Sequence, residues 1–205
     1  MRPILLSGVA LAAIMADRAV RDLIENPSIC GDANRPYDVQ VGTPVAEMVM
    51  VPGIGSSHMA VDATPEAQAW FDYGVQLRWA FQHTESVRAF QKARLLDPAC
   101  GMCAWGEAWA MGPNLNGGGR ADSVDPAALK IARDARRLAR DASVQQRRMI
   151  DGLIQRYSGR KGSRSDRFAR VMDRQARDNP EDITLAALAA DAWMINAEDW
   201  WNKDG

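Results

Sequence analysis

Four side chains in this 205-residue sequence could supply metal or redox chemistry: His58, His83, Cys100 and Cys103. Two imidazoles and a Cys-x-x-Cys pair are a donor set for zinc or copper. The pair also stands where a helix begins, and the free amides and dipole of a helix N-terminus stabilise a thiolate. No thioredoxin-like strand–helix alternation surrounds it, and Ala104 stands where haem attachment would need histidine. The pair therefore has three readings: a disulfide between Cys100 and Cys103, two buried structural thiols, or metal and redox ligands. Cys30 is left over in the first of these. No Ser/His/Asp set can be assembled, and Glu198 and Asp199, adjacent on a helix, point apart. The glycine run 117–119 lacks the Lys-Ser/Thr ending of a phosphate-binding loop.

The elements that position these residues are helices. Trp70, Gly74, Leu77 and Phe81 recur at helical spacing, as do Ser86, Phe90 and Ala93. Thr64-Pro65 is an N-cap followed by proline at the first helical position, and Asp97-Pro98 and Asp125-Pro126 repeat that signal. A third helix over about 99–111 is stopped by Gly112-Pro113-Asn114. An alanine stripe (128, 132, 135, 139, 142) predicts close helix contact, and Ser143-Val-Gln-Gln146 is a capping box. Helices over 166–178 and 181–195, joined at Asn179-Pro180, complete the array. The tryptophans at 70, 79, 105 and 109 fit helix packing better than a cofactor site.

Over 65–98, Trp70, Gly74, Ser86, Phe90, Ala93 and Pro98 resemble the large–Gly–small–aromatic–Ala–Pro pattern of a tetratricopeptide repeat, a helix–turn–helix unit of about 34 residues. Ser86 replaces the usual alanine, and Leu77 the usual tyrosine. The phrases Phe81-x-His83, Leu96-Asp-Pro-x-Cys-x-Met-Cys103-x-Trp-Gly106 and Gly112-Pro-Asn114 also resemble longer bacterial repeat proteins. The resemblance implies an all-α helical-hairpin array over 64–205, continuing beyond 205 in a longer parent. It implies a non-catalytic scaffold that binds peptides or partner proteins on a concave face made by the first helix of each hairpin. Gln68, Gln76, Arg78 and Glu107 are the residues expected on that face.

Such an array separates the four candidate ligands. A helix of about 16 residues is roughly 24 Å long. His83 sits at one end of the first hairpin and the cysteines at the other, so His83 is expected beside Asn114 and Asn116. His58, just before the first helix, is expected at the cysteine end, leaving His58, Cys100 and Cys103 as the candidate metal or redox group.

Residues 1–16 resemble a secretory signal peptide: one arginine, an apolar run, then small residues. The run is too short for a membrane span, and export would place the chain in the periplasm or outside the cell. The alternative is a buried or amphipathic helix continuing to Ile24. Residues 17–63 read as an irregular extension, with a short extended segment expected over 39–51 and a turn-rich linker over 52–59. Net charge is −1, yet 130–177 holds fifteen basic and five acidic residues, a balance of +10 against −11 elsewhere. That asymmetry suits an anionic partner or mutual neutralisation of stacked helices, and export disfavours nucleic acid. Trp200-Trp201, apolar and near the last residue, suits either docking onto the last hairpin or a continuing array.

Overall fold

The computed structural model of the chain describes residues 44–115 and 125–197. Every described residue belongs to one compact unit within Tyr37–Gly205. The expected signal peptide, Cys30, Asn116, the glycine run, Glu198-Asp199 and the paired tryptophans lie outside the described residues.

Among the described residues the fold is all-α: seven helices, one short 3-10 helix and no strand. The helices are α1 (Pro65–Trp79), α2 (His83–Leu96), α3 (Gly101–Ala110), α4 (Pro126–Leu138), α5 (Val144–Ser158), α6 (Arg164–Asp178) and α7 (Ile183–Asn196). Each packs on its sequence neighbour, and α3 also touches α1 and α5, so the hairpins form an array. Their starts follow the cap chemistry. Thr64 Oγ1 accepts from Ala67 N, Asp125 Oδ1 from Ala127 N and Ala128 N, and Ser143 Oγ from Gln146 N. Two expected starts move. The Asp97-Pro98 signal does not open α3; Cys100 caps it, with Sγ accepting from Cys103 N. Asn179-Pro180 yields to Asp182, whose carboxylate accepts from Leu185 N.

The first three helices close around Phe90, which is fully buried. A Cβ on Gly74 of α1 would stand 2.9 Å from its ring, and one on Gly106 of α3 would stand 2.4 Å from it. The ring thus lies against two glycine backbones, with Phe71 at 5.3 Å and Trp109 at 6.4 Å between centroids. Ser86 explains its departure from alanine: its hydroxyl donates to Gly74 O at 2.7 Å, satisfying a carbonyl where α1 and α2 approach closely. Further along, Trp105 Nε1 donates to Met149 O and Tyr157 Oη to Ala108 O, tying α3 to α5. Four of the striped alanines (128, 132, 135, 139) are buried, and Gly101 of α3 abuts Ala135 and Ala139.

Before α1, residues 45–47 form a 3-10 helix in place of the expected extended segment, and 48–63 run on without regular structure. This strap folds back along α1. Val51 N donates to Tyr73 Oη, Met59 N to Asp72 Oδ1, Val61 N to Gln68 Oε1 and Thr64 N to Asp97 Oδ2.

Gly106→Ala is expected to lower stability although alanine is the better helix former. Overpacking costs about 1–3 kcal/mol, against a propensity gain of about 1 kcal/mol at most. Thermal denaturation followed by circular dichroism checks this; an unchanged or raised midpoint would show that Phe90 is not confined.

Candidate functional site

The candidate site is the inner face where α1, α5 and α7 meet the strap. Asp72, midway along α1, is its hub. One carboxylate oxygen accepts from Met59 N at 3.2 Å and from Gln68 Nε2 at 3.0 Å, while the other meets His58 Nδ1 at 2.7 Å. Gln68 completes the grip, accepting from Val61 N at 2.9 Å and donating to Met59 O at 3.1 Å. Opposite, Gln146 Nε2 of α5 donates to Ala60 O at 3.3 Å, and Thr184 Oγ1 of α7 donates to His58 O at 3.5 Å. The strap therefore lies with five of its main-chain groups between His58 and Val61 bonded to side chains from three helices.

Beside the strap runs a cleft of about 960 Å³, lined by His58, Trp79, Gln145, Ile183, Thr184 and Ala187 among others. Ile183 is 84% exposed there. A smaller space of about 140 Å³ adjoins Met59 and is bounded by Met102, Met149, Gln145 and Gln146. Met59 itself is buried.

Of the four residues expected to line an open concave face, only Gln68 bonds the strap, the chain's own backbone. Gln76 is half-buried on α1. Arg78 and Glu107 are corrections, being 2% and 4% exposed. Arg78 stacks over Trp109 at 5.1 Å and donates to Ala110 O at 3.3 Å and Pro113 O at 2.7 Å, so it ties α1 to the end of α3. Glu107 turns toward α2, where it pairs with Arg94 and accepts from Gln91 Nε2 at 3.0 Å. Both charges are buried because they have partners, which helical periodicity does not reveal.

The His58–Cys100–Cys103 group does not assemble. Among the described residues no cluster of three or more His, Cys, Asp or Glu side chains could hold a metal ion. His58 is drawn to the middle of α1 by Asp72, away from the helix end, because the strap runs back along the helix. Cys100 and Cys103 are joined by a disulfide and are 1% and 0% exposed. The bond spans the first turn of α3, and no free thiolate stands there for zinc, copper or thiol exchange.

His83 lies at the other end of the hairpin. Its Nδ1 faces Arg78 Nη1 at 3.2 Å. Arginine only donates, so Nδ1 accepts and Nε2 carries the proton; Nε2 is buried with no hydrogen-bond partner. Burial first, and the Arg78 charge second, lower the His83 pKa from 6.5 to about 4. On α7, Asp191 is 7% exposed, and its Oδ2 has no hydrogen-bond partner. Burial raises its pKa above 3.8, outweighing the opposing fields of Arg78 and Arg156. Sequence reasoning missed Asp191, because a lone acid in the run 183–196 carries no motif.

The basic stretch is partly neutralised within the array. Arg136 pairs with Asp151, Arg137 with Asp134, Arg148 with Asp178, Arg170 with Asp166 and Arg177 with Asp173. No helix of the described residues is long and apolar enough to cross a membrane. Comparison with protein-family models, curated proteins and solved structures finds no match to this chain.

The two buried titrations have opposite signs. Folded His83 binds its proton less readily than unfolded histidine, so its contribution to stability is lost as pH falls from 6.5 to about 4. Folded Asp191 holds its proton more readily than unfolded aspartate, so stability is lost as pH rises above 3.8. Asp191→Asn is therefore expected to raise the melting temperature at pH 7, with the gain shrinking toward pH 3. His83→Gln should flatten the decline between pH 6.5 and 4. Melting curves across pH read both, and a lowered midpoint for Asp191→Asn at pH 7 would contradict the assignment.

Proposed function

We propose that this chain is a non-catalytic helical-repeat scaffold of tetratricopeptide type that binds an extended peptide segment of a partner protein along its inner face. The observation that carries the reading is the grip on the strap: Gln68, Asp72, Gln146 and Thr184 bond the main chain of His58, Met59, Ala60 and Val61. Bonds from side chains to a backbone recognise an extended conformation, and one pocketed side chain adds selectivity. The packing of Trp70, Gly74, Ser86, Phe90 and Ala93 between α1 and α2 supports the repeat assignment. The Cys100–Cys103 disulfide suits an oxidising compartment, which supports reading residues 1–16 as an export signal.

The partner is thus a protein or peptide. A random peptide library displayed on phage and panned against the chain, its own strap loosened by Met59→Ala, tests this. Sequences with one methionine-, leucine- or phenylalanine-sized anchor should be enriched. Gln68→Ala in that background should weaken the selected peptides about tenfold, the equivalent of one or two backbone hydrogen bonds. Failure to enrich any sequence, or binding indifferent to Gln68, would contradict the proposal.

A further inference from the structure

We infer that residues 56–63 are an intramolecular occupant of the peptide groove, a displaceable pseudo-ligand that a partner peptide must replace. The inference rests on the reading of the inner face as a peptide groove and adds how that groove is regulated and what shape of ligand it takes.

Three features distinguish the strap from a fixed part of the core. First, its attachments from His58 to Val61 use main-chain atoms, which any extended chain would offer equally. The His58 ring is the exception, and it is 66% exposed. Second, Met59 is the strap's one buried side chain, at 7% exposed; Met48, Ile54, Val61 and Ala63 are only partly buried, while Val49, Met50 and Val51 are exposed. Little apolar area would be lost if the segment left.

Third, the strap turns on two glycines and is underfilled at its anchor. Gly53 and Gly55 adopt φ of +88° and +99°, a left-handed conformation that glycine enters without strain, and a Cβ on either would meet nothing within 4 Å. They turn the chain in open space at one end, and Thr64 N on Asp97 fixes the other. Around Met59 the methionines 102 and 149 line a space of about 140 Å³ that Met59 does not fill. Methionine walls adapt to other shapes, so the socket accepts an anchor larger than its own. The ligand class follows: an extended segment with a methionine-, leucine- or phenylalanine-sized anchor, and with no proline where Met59 and Val61 donate.

The test is fluorescence anisotropy of a labelled peptide with the sequence of residues 54–63, titrated with the full chain. Met59→Ser empties the anchor socket and Val61→Pro removes one backbone donor, and neither changes a groove residue. Both variants are expected to bind the peptide at least tenfold more tightly than the wild type. A peptide with Phe in place of Met should bind at least as well, and one with Asp should not bind. If the loosened variants keep their helical circular dichroism and bind no better than the wild type, the strap is a fixed element and the inference is overturned, while the groove reading stands. Loss of helical structure in both variants also overturns it, by making the strap an integral part of the core. If neither this peptide nor any library-selected peptide binds a folded variant, the groove reading itself fails.

Discussion

The structure depends on one contact: the ring of Phe90 held between the glycine backbones of α1 and α3. A glycine in a helix interior costs about 0.5–1 kcal/mol relative to alanine. Gly74 and Gly106 offset that cost by letting three helices converge on a single aromatic side chain. Around that point Trp109 stacks on Trp105, meets Trp79 edge-on and carries the Arg78 guanidinium on its face. The registers of α1, α2 and α3 are therefore set together. Those registers place Gln68 and Asp72 on the inner side of α1, where the strap meets them.

From that framework follows a division of labour along the hairpins. At the end where α1 leads into α2, charge is taken inside: Arg78 joins three segments, His83 stays neutral beside it, and Asp191 faces both Arg78 and Arg156 with its Oδ2 unpartnered. Toward the middle of α1, polar groups read a backbone in place of one another. Rigid helices carrying hydrogen-bonding side chains recognise an extended segment at little cost in ordering entropy, since only the segment has to be fixed.

Much of the fold was legible in the sequence because the signals were local. Thr64, Asp125 and Ser143 cap helices through bonds to amides two or three residues away, and the alanine and aromatic stripes follow helical periodicity. The site was less legible because its bonds are not local. Asp72 and Gln68 hold main-chain atoms, and a main-chain partner leaves no mark on residue type. Arg78 and Glu107 were placed on an open face by the repeat resemblance alone. Their partners, Pro113 and Arg94, lie 35 and 13 residues away, and no periodicity encodes them. His58 failed as a cysteine neighbour for a related reason: Asp72 decides where the strap runs.

The central claim is that the strap occupies a groove made for an extended peptide. The most direct measurement is hydrogen–deuterium exchange at the amides of Met59 and Val61, which are bonded to Asp72 and Gln68. With saturating peptide of a selected, groove-binding sequence, these amides are expected to lose protection while the amides of α1 to α3 keep theirs. Protection at Met59 and Val61 that persists with such a peptide bound would contradict the account.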